Sequence, residues 1–587
     1  MMKQRLHAIP FLLAVFLGLF IGYGQNLPPR APRDLDETPI TLSEADKGPD
    51  FQLMLTHIRE MAAEVHSVGS PGLKRTQEYL KKQLESMGYA YMEDRYQLSM
   101  EEVRDLWRLW QGYYGDPYLP TDKEIRDRAG LGEEDLMELN NILVCVDAPD
   151  TDETIIFMAH TDSVIQGAGA FDDIVSVAAL LEGLRAVQDR AIARDLLFLF
   201  TDGEEQGLLG SAKFIADHPE YAQRTRLVVN LEARGNAGVL ILFQTTDNNL
   251  GLIETYRKAV PYPFSMSIAT DIYKTMPNDT DLTHFIHAGY PGMNLAAIEG
   301  PHVYHTKLDN YETFSRDSAL HYLDTVVGLV THLARTPELH LEDRQDAVHF
   351  PFFPGKLAVL PESLANALAH ATFALTLLCL FYLLRKKRLR FSGLILTLCA
   401  QVLILILSGG STWILLEGMY FLCSRFGFFS ELLITEHHYG RHSHVLFILL
   451  LLVFTACAVM LLRSLWRKTN WRSKAQGHCA HLMGLLLLPS LLGEVCAWCF
   501  PAGSYLFFLP VLAGLAVIGA RIVFPGLSPM VAAVSIVLTL LLYTPLVHVL
   551  HVALHIYTAY LTLPVAMLPL TLIAGKIECT WQKRART

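Results

Sequence analysis

The alternation of apolar and polar positions changes character once along the chain, near residue 361. From about residue 50 to 335, short apolar and β-branched runs alternate with stretches of helical spacing. The runs at 141–146, 154–159, 195–201, 226–232, 239–244 and 293–298 read as strands. Residues 173–187 and 207–217 read as helices, and 315–335 as a closing amphipathic helix. This order predicts an α/β fold, a mostly parallel mixed sheet with helices on both faces. Functional residues should then collect at the carboxyl ends of the strands. Residues 96–137, rich in Trp, Tyr, Glu and Asp, break the rhythm and read as a helical surface insertion, with a lid or docking surface as the alternative.

Beyond Pro361, apolar runs cover roughly 363–384, 391–411, 444–462, 480–500, 503–520, 528–550 and 553–575. Each is long enough to cross a hydrocarbon core of ~30 Å. Within 412–443, Trp413–Cys423 either extends the second span or re-enters. An apolar run at 8–23, after Lys3 and Arg5 and before a Pro-rich linker, is a signal peptide or a short first membrane helix. The expected division is a leader or anchor with its linker at 1–33, a soluble domain at 34–345, a linker at 346–362 and an all-α membrane domain of about seven helices at 363–587.

Charge follows the same division. Residues 361–587 hold 17 Lys+Arg against 6 Asp+Glu and no Asp, whereas residues 1–360 hold 31 against 53. The net −11 is therefore the sum of a −22 part and a +11 part. A nucleic-acid partner is excluded, because the water-facing part has the wrong sign. The cations cluster at 385–390, at Arg463, Arg467, Lys468, Arg472 and Lys474, and at Lys576, Lys583, Arg584 and Arg586. With seven spans counted from outside, all three clusters face the cytoplasm, and Lys3 and Arg5 join them if 8–23 also spans. The acidic domain then faces the periplasm or a lumen, and the lipid bilayer is a partner.

Cysteine adds little. Only Cys145 precedes residue 361, so the acidic part forms no internal disulfide. Cys496 and Cys499 have redox or metal spacing, but no second pair accompanies them, and helix packing is the preferred reading.

The chemistry lies at the strand ends. His160 closes a strand as His-Thr-Asp. Asp172 and Asp173 open a helix. Glu204 and Glu205 follow the strand ending at Thr201, Glu232 ends the next, and His305 follows the last. Two imidazoles and three carboxylates suffice for a pair of divalent ions about 3.5–4 Å apart, one carboxylate bridging. A further carboxylate is needed as base, and adjacent Glu204 and Glu205 suit a division of labour. Asp162, two residues beyond His160, shares its face of an extended segment and suits orientation of the imidazole. Asp-Asp at a helix start also has a plain reading, a favourable interaction with the helix dipole.

These residues resemble a known family, the co-catalytic zinc aminopeptidases that share a fold with glutaminyl cyclases. The matching stretches are His160-Thr-Asp162, Gly169-Ala-Phe-Asp172-Asp173, Phe200-Thr-Asp-Gly-Glu204-Glu205, Asn230-Leu-Glu232-Ala, Asn278-Asp279-Thr-Asp281 and Tyr304-His305-Thr. Together with a multi-span C-terminus they are similar to the membrane branch, which includes the endoplasmic-reticulum metallopeptidase, the fungal vacuolar membrane protease and shorter bacterial relatives. The resemblance implies a zinc-exopeptidase-like fold and two Zn2+ per chain. It implies that His160 and Glu232 hold one zinc, Glu205 and His305 the other, that Asp172 bridges them, and that Glu204 is the general base. It implies removal of N-terminal residues from a peptide substrate, in a bacterial inner membrane with a periplasmic catalytic domain, or in a lumen if eukaryotic. Asp279 and Asp281 fall on an acidic loop beside the pocket or on a solvated turn, and Asn278 opens a glycosylation sequon.

Two other readings compete. One is a glutaminyl cyclase-like acyltransferase, which needs one zinc and is disfavoured by the full ligand set. The other is a transporter or assembly scaffold with a peptidase-like binding domain, disfavoured by an intact Glu204. In the membrane part, Glu494 lies within a span. His548, His551 and His555 share a helical face, and His437, His438, His442 and His444 cluster in a loop. Packing and solvation are the preferred readings of these histidines, and a metal or proton path is the alternative.

Overall fold

The computed structural model describes residues 9–45, 48–112, 121–132, 135–149, 151–276, 278–341, 343–389, 391–429, 432–433, 442–469 and 477–580. His437, His438, Lys3, Arg5, Arg390, Arg472, Lys474, Lys583, Arg584 and Arg586 lie outside them. The chain divides into two compact units. One is built from 27–265 and 269–346, the other from 1–26, 266–268 and 347–587.

The first unit is α/β. Its strands are β1 (Met92–Leu98), β2 (Met137–Val146), β3 (Thr154–His160), β4 (Asp195–Thr201), β5 (Thr225–Ala233), β6 (Ile241–Thr245) and β7 (Gly292–Ala297). They form one sheet in the order β1-β2-β4-β3-β5-β7-β6. The centre β4-β3-β5-β7 is parallel, and β1, β2 and β6 run antiparallel at the edges. β3 is buried at every position, as expected of a strand covered on both faces. All residues of helix Ile174–Val187 are buried as well. Gly183 lets this helix lie close to helix Arg316–Arg335, since a Cβ there would stand 3.1 Å from Val330. The six expected strands are present, within a few residues at their ends. β1 was not expected. It is a mostly polar edge strand whose burial alternates weakly, so apolar patterning does not mark it.

The insertion is not a plain surface addition. Helices Met100–Gly112 and Asp122–Ala129 bury Val103, Trp107, Ile125 and Ala129 in one cluster with Leu139 and Leu209.

In the second unit, β8 (Ala347–Phe353) and β9 (Lys356–Pro361) form an antiparallel hairpin where a linker was expected. Gly355, with φ +67°, makes the turn after Pro354. Seven helices are long and apolar enough to cross a membrane: Glu362–Arg385, Phe391–Phe426, Ser443–Trp466, Cys479–Cys499, Pro501–Val523, Ser528–Leu554 and Ile556–Thr580. The second continues unbroken through 412–426, which decides for extension over re-entry. Helix Ile9–Gly24 packs along Ser528–Leu554, where a Cβ on Gly18 or Gly22 would come within 2.9 Å of Leu540 or Thr544. Lys576 is not a membrane-face cation. It is buried within its helix and donates to Thr539 Oγ1 at 2.7 Å. His551 is packed between helices, its ring 4.2 Å from that of Phe447.

Candidate metal centre

The parallel sheet assembles the site by ending four strands side by side. His160 is the last residue of β3 and Glu232 the penultimate residue of β5. Glu204 and Glu205 follow β4, and His305 follows β7. Asp172 and Asp173, joined by a cis peptide, precede the helix that begins at Ile174. The Gly167–Gly169 loop meets the His305 loop closely, since a Cβ on Gly167 would lie 2.4 Å from the Thr306 carbonyl oxygen.

Asp172 is central. Its Oδ1 lies 3.4 Å from His160 Nε2, and its Oδ2 lies 3.3 Å from His305 Nε2. Glu232 Oε2 stands 3.9 Å from His160 Nε2, and Glu205 Oε2 stands 3.1 Å from His305 Nε2. Two triads result, His160–Asp172–Glu232 and Asp172–Glu205–His305, each with ligand atoms within 4.8 Å of one another and with Asp172 shared. They are the only such groupings found among the described residues, so the described histidines of the membrane unit and the Cys496–Cys499 pair form none.

The donor atoms fit divalent ions. Nε2 of His160, Nε2 of His305 and Oε1 of Glu205 are buried without a hydrogen-bond partner among the described residues. A buried polar atom left unpaired costs free energy, and a bound cation removes that cost. The His160 tautomer is set from behind, because Nδ1 lies 2.9 Å from the Asp162 backbone carbonyl and donates to it, leaving the Nε2 lone pair toward Asp172.

Asp162 works differently from expectation. Its carbonyl, rather than its carboxylate, makes the short bond to the imidazole, and Oδ1 lies 3.6 Å from Nδ1. The carboxylate accepts from the Glu204 amide at 3.1 Å and the Glu205 amide at 3.2 Å. It grips the loop that carries both glutamates.

Three residues received no role from the sequence, although Asn230 and Tyr304 lie in the matching stretches. Asp309 is buried and accepts from the amides of Phe171 at 2.9 Å and Asp172 at 3.1 Å. It fixes the backbone of the shared carboxylate just as Asp162 fixes that of the glutamates. Asn230 donates to Glu232 Oε1 at 3.3 Å and to Asn294 Oδ1 at 3.1 Å, which orients the third carboxylate. Tyr304 stacks on His305 with ring centroids 3.7 Å apart. Burial, then Asp172, Glu205 and Glu204, hold its hydroxyl well above the usual tyrosine range, so it remains a neutral donor beside the centre.

The electrostatics reflect how closely buried carboxyl groups crowd the two imidazoles. Desolvation and then Glu232 push the Glu204 carboxyl well above its ordinary range. Burial raises Glu232 to about 8 and Asp309 to about 7. Against the desolvation that lowers it, Glu205 and Asp172 raise the His305 imidazole to about 10. The two imidazoles overcome desolvation at Asp172 and draw it down to about 2. Glu204 belongs to neither triad. Asp281 is buried, accepts from Thr201 Oγ1 and is raised to about 6 by burial, whereas Asp279 accepts from Thr283 Oγ1 within its own turn.

Residues 141–330 match the family model of Peptidase family M28. Over 221 residues the chain is 33% identical to human endoplasmic reticulum metallopeptidase 1, covering 37% of this chain and 24% of that protein. Over 336 residues it is 27% identical to the vacuolar membrane protease of Saccharomyces cerevisiae, covering 56% of this chain and 33% of that one. The chain thus spans about a quarter to a third of the length of these relatives. Among solved structures, an aminopeptidase from Aneurinibacillus sp. strain AM-1 aligns with a TM-score of 0.39 and 18% identity, covering 50% of this chain and 97% of that one.

Proposed function

We propose that the Peptidase family M28 domain at residues 141–330 makes this chain a membrane-anchored two-zinc metallopeptidase. On this reading it is an aminopeptidase that removes N-terminal residues from peptides outside the cytoplasm. The observation that carries the proposal is Asp172, whose two oxygens each face a different imidazole. Each imidazole is completed by its own glutamate, Glu232 or Glu205.

His160 and Glu232 would hold one zinc, Glu205 and His305 the second, with Asp172 between them. Zinc bound there would polarise the scissile carbonyl and acidify the attacking water. Glu204, in neither triad and with a raised pKa, accepts the proton of the attacking water on its carboxylate. It then returns that proton to the leaving amine nitrogen. Tyr304, stacked on His305, steadies the imidazole of the second triad. Asp162 keeps Glu204 and Glu205 in register through their amides.

The topology follows from the cations that end the first and third spans, Arg385 and Arg463, which belong on the cytoplasmic face. The domain preceding the first span then lies on the opposite face, periplasmic in a bacterial inner membrane or lumenal in an organelle. Helix Ile9–Gly24 serves as an additional anchor, seated on Ser528–Leu554.

The test uses the purified full chain in detergent, with zinc per chain measured beside hydrolysis of a panel of aminoacyl substrates. Near-two zinc in both wild type and Glu204→Gln, with activity reduced about 10²–10⁴-fold in the variant, is expected. Activity that survives zinc removal, or equal activity in the variant, would refute the mechanism.

A further inference from the structure

The insertion before β2 lies outside the residues that match the family, yet it touches the loop carrying the general base. Trp107 sits on helix Met100–Gly112 and is 5% exposed. Its indole N–H donates to the Gln206 carbonyl at 2.9 Å. Its ring covers Gly207, where a Cβ would stand 2.6 Å from the indole. Gly207 has φ +108°, a conformation open to glycine, so the residue serves both the turn and the approach of the ring. A second contact comes from the insertion's other helix, where the Arg128 carbonyl accepts from Gln206 Nε2 at 3.3 Å.

These contacts complete a grip on one tight turn. The Gly207 and Leu208 amides both bond the Glu204 carbonyl at 2.9 Å, so residues 204–208 move as a unit. Asp162 holds the amides of Glu204 and Glu205 on one side. Trp107 and Arg128 hold Gln206 and Gly207. Beyond the turn the Leu209 amide bonds the Gly203 carbonyl at 3.0 Å, so what the insertion adds is the hold on Gln206 and Gly207 at its middle.

We propose that the insertion is a working part of the active site, with Trp107 a positioning residue that sets Glu204 against the attacking water. This rests on Glu204 being the base. Small displacements of a positioned group cost rate steeply, about 10²-fold for 1 Å. Glu205 rides on the same turn, so with zinc supplied in excess to keep that ligand loaded the effect should fall on kcat.

The experiment compares the full-length wild type with Trp107→Phe, which keeps a ring but loses the donor, and Trp107→Ala, which removes both. Steady-state kinetics, zinc per chain and hydrogen exchange of the 203–208 peptide are read in each. Expected are a kcat loss of about tenfold in Trp107→Phe, one hydrogen bond's worth, and about 100-fold in Trp107→Ala. KM and zinc content should hold, and exchange should accelerate at 203–208 but not in β3. Unchanged kcat in both variants would overturn the proposal, whatever the exchange. Uniformly faster exchange across the catalytic unit with loss of zinc would also overturn it, since Trp107 would then be only a core residue. Local acceleration in a protein whose wild type hydrolyses nothing would instead refute the peptidase reading and leave the brace standing.

Discussion

At the residue scale, two buried aspartates do the same work by the same means. Asp162 and Asp309 each spread one carboxylate over two consecutive amides, and each pair of amides includes a residue proposed as metal ligand or base. His-x-Asp spacing drew attention to Asp162, but as a partner of the imidazole. The actual target was out of reach of spacing, because the Glu204 amide lies 42 residues away. Asp309 was illegible for the same reason, its bond to the Asp172 amide closing a gap of 137 residues. Asp309→Asn should leave one acceptor for two donors and loosen the shared carboxylate. Zinc affinity should fall about 10–100-fold, measured by competition with a chelating dye, and the metal-free protein should lose about 1–3 kcal/mol because one buried amide is left without an acceptor. Unaltered affinity would show that the Asp172 backbone needs no such support.

At the element scale, patterning was most reliable where one environment surrounds an element. β3 and the membrane helices are mostly apolar, and their runs were read within about five residues, except the second span, read as 391–411 where the helix runs Phe391–Phe426. Edges and junctions were harder. β1 is polar and pairs only through β2. The 347–361 hairpin carries its Pro354-Gly355 turn signal in a stretch too short to stand out from a linker. The pairing of helices Ile174–Val187 and Arg316–Arg335 is likewise invisible in sequence, yet it depends on a single missing side chain. Gly183→Val would push into Val330 and Val326, which a Cβ meets at 3.1 and 3.2 Å. A loss of about 1–3 kcal/mol is expected from denaturant unfolding of the catalytic unit. A stability equal to wild type would mean the helices can part without cost.

At the scale of the whole molecule, the acidic excess found by counting residues has a concrete seat. Glu232 at about 8 and Asp309 at about 7 lie above their unfolded values near ~4. The metal-free folded state therefore binds more protons than the unfolded one. That contribution is full at low pH and is lost as pH rises through 7 to 8. His305, raised to about 10 from an unfolded ~6.5, has the same sign, its contribution fading from pH 6.5 upward. Asp172, at about 2, contributes steadily throughout this window. The metal-free catalytic unit should thus weaken from pH 5 to 8. Zinc must displace those protons, so the stabilisation that zinc confers should grow over the same range. Tryptophan-monitored unfolding of the full chain, with zinc or with chelator, at pH 5, 6, 7 and 8 measures this. A zinc effect that stays flat or shrinks with pH would contradict it.

The sequence alone determined the class of each half and named the five residues that the fold gathers into two candidate triads. Burial on both faces forces continuous apolar runs, a hydrocarbon core forces long ones, and strand ends in a parallel sheet gather whatever the following loops carry. Which atoms face which was decided only by the tertiary structure. It set the two oxygens of Asp172 toward different imidazoles, turned the Asp162 carboxylate to the glutamate loop, buried Lys576 among helices and laid Trp107 on Gly207. These arrangements rest on contacts between residues remote in sequence, and a short hydrogen bond or a ring against a bare Cα leaves no periodic trace in the order of amino acids.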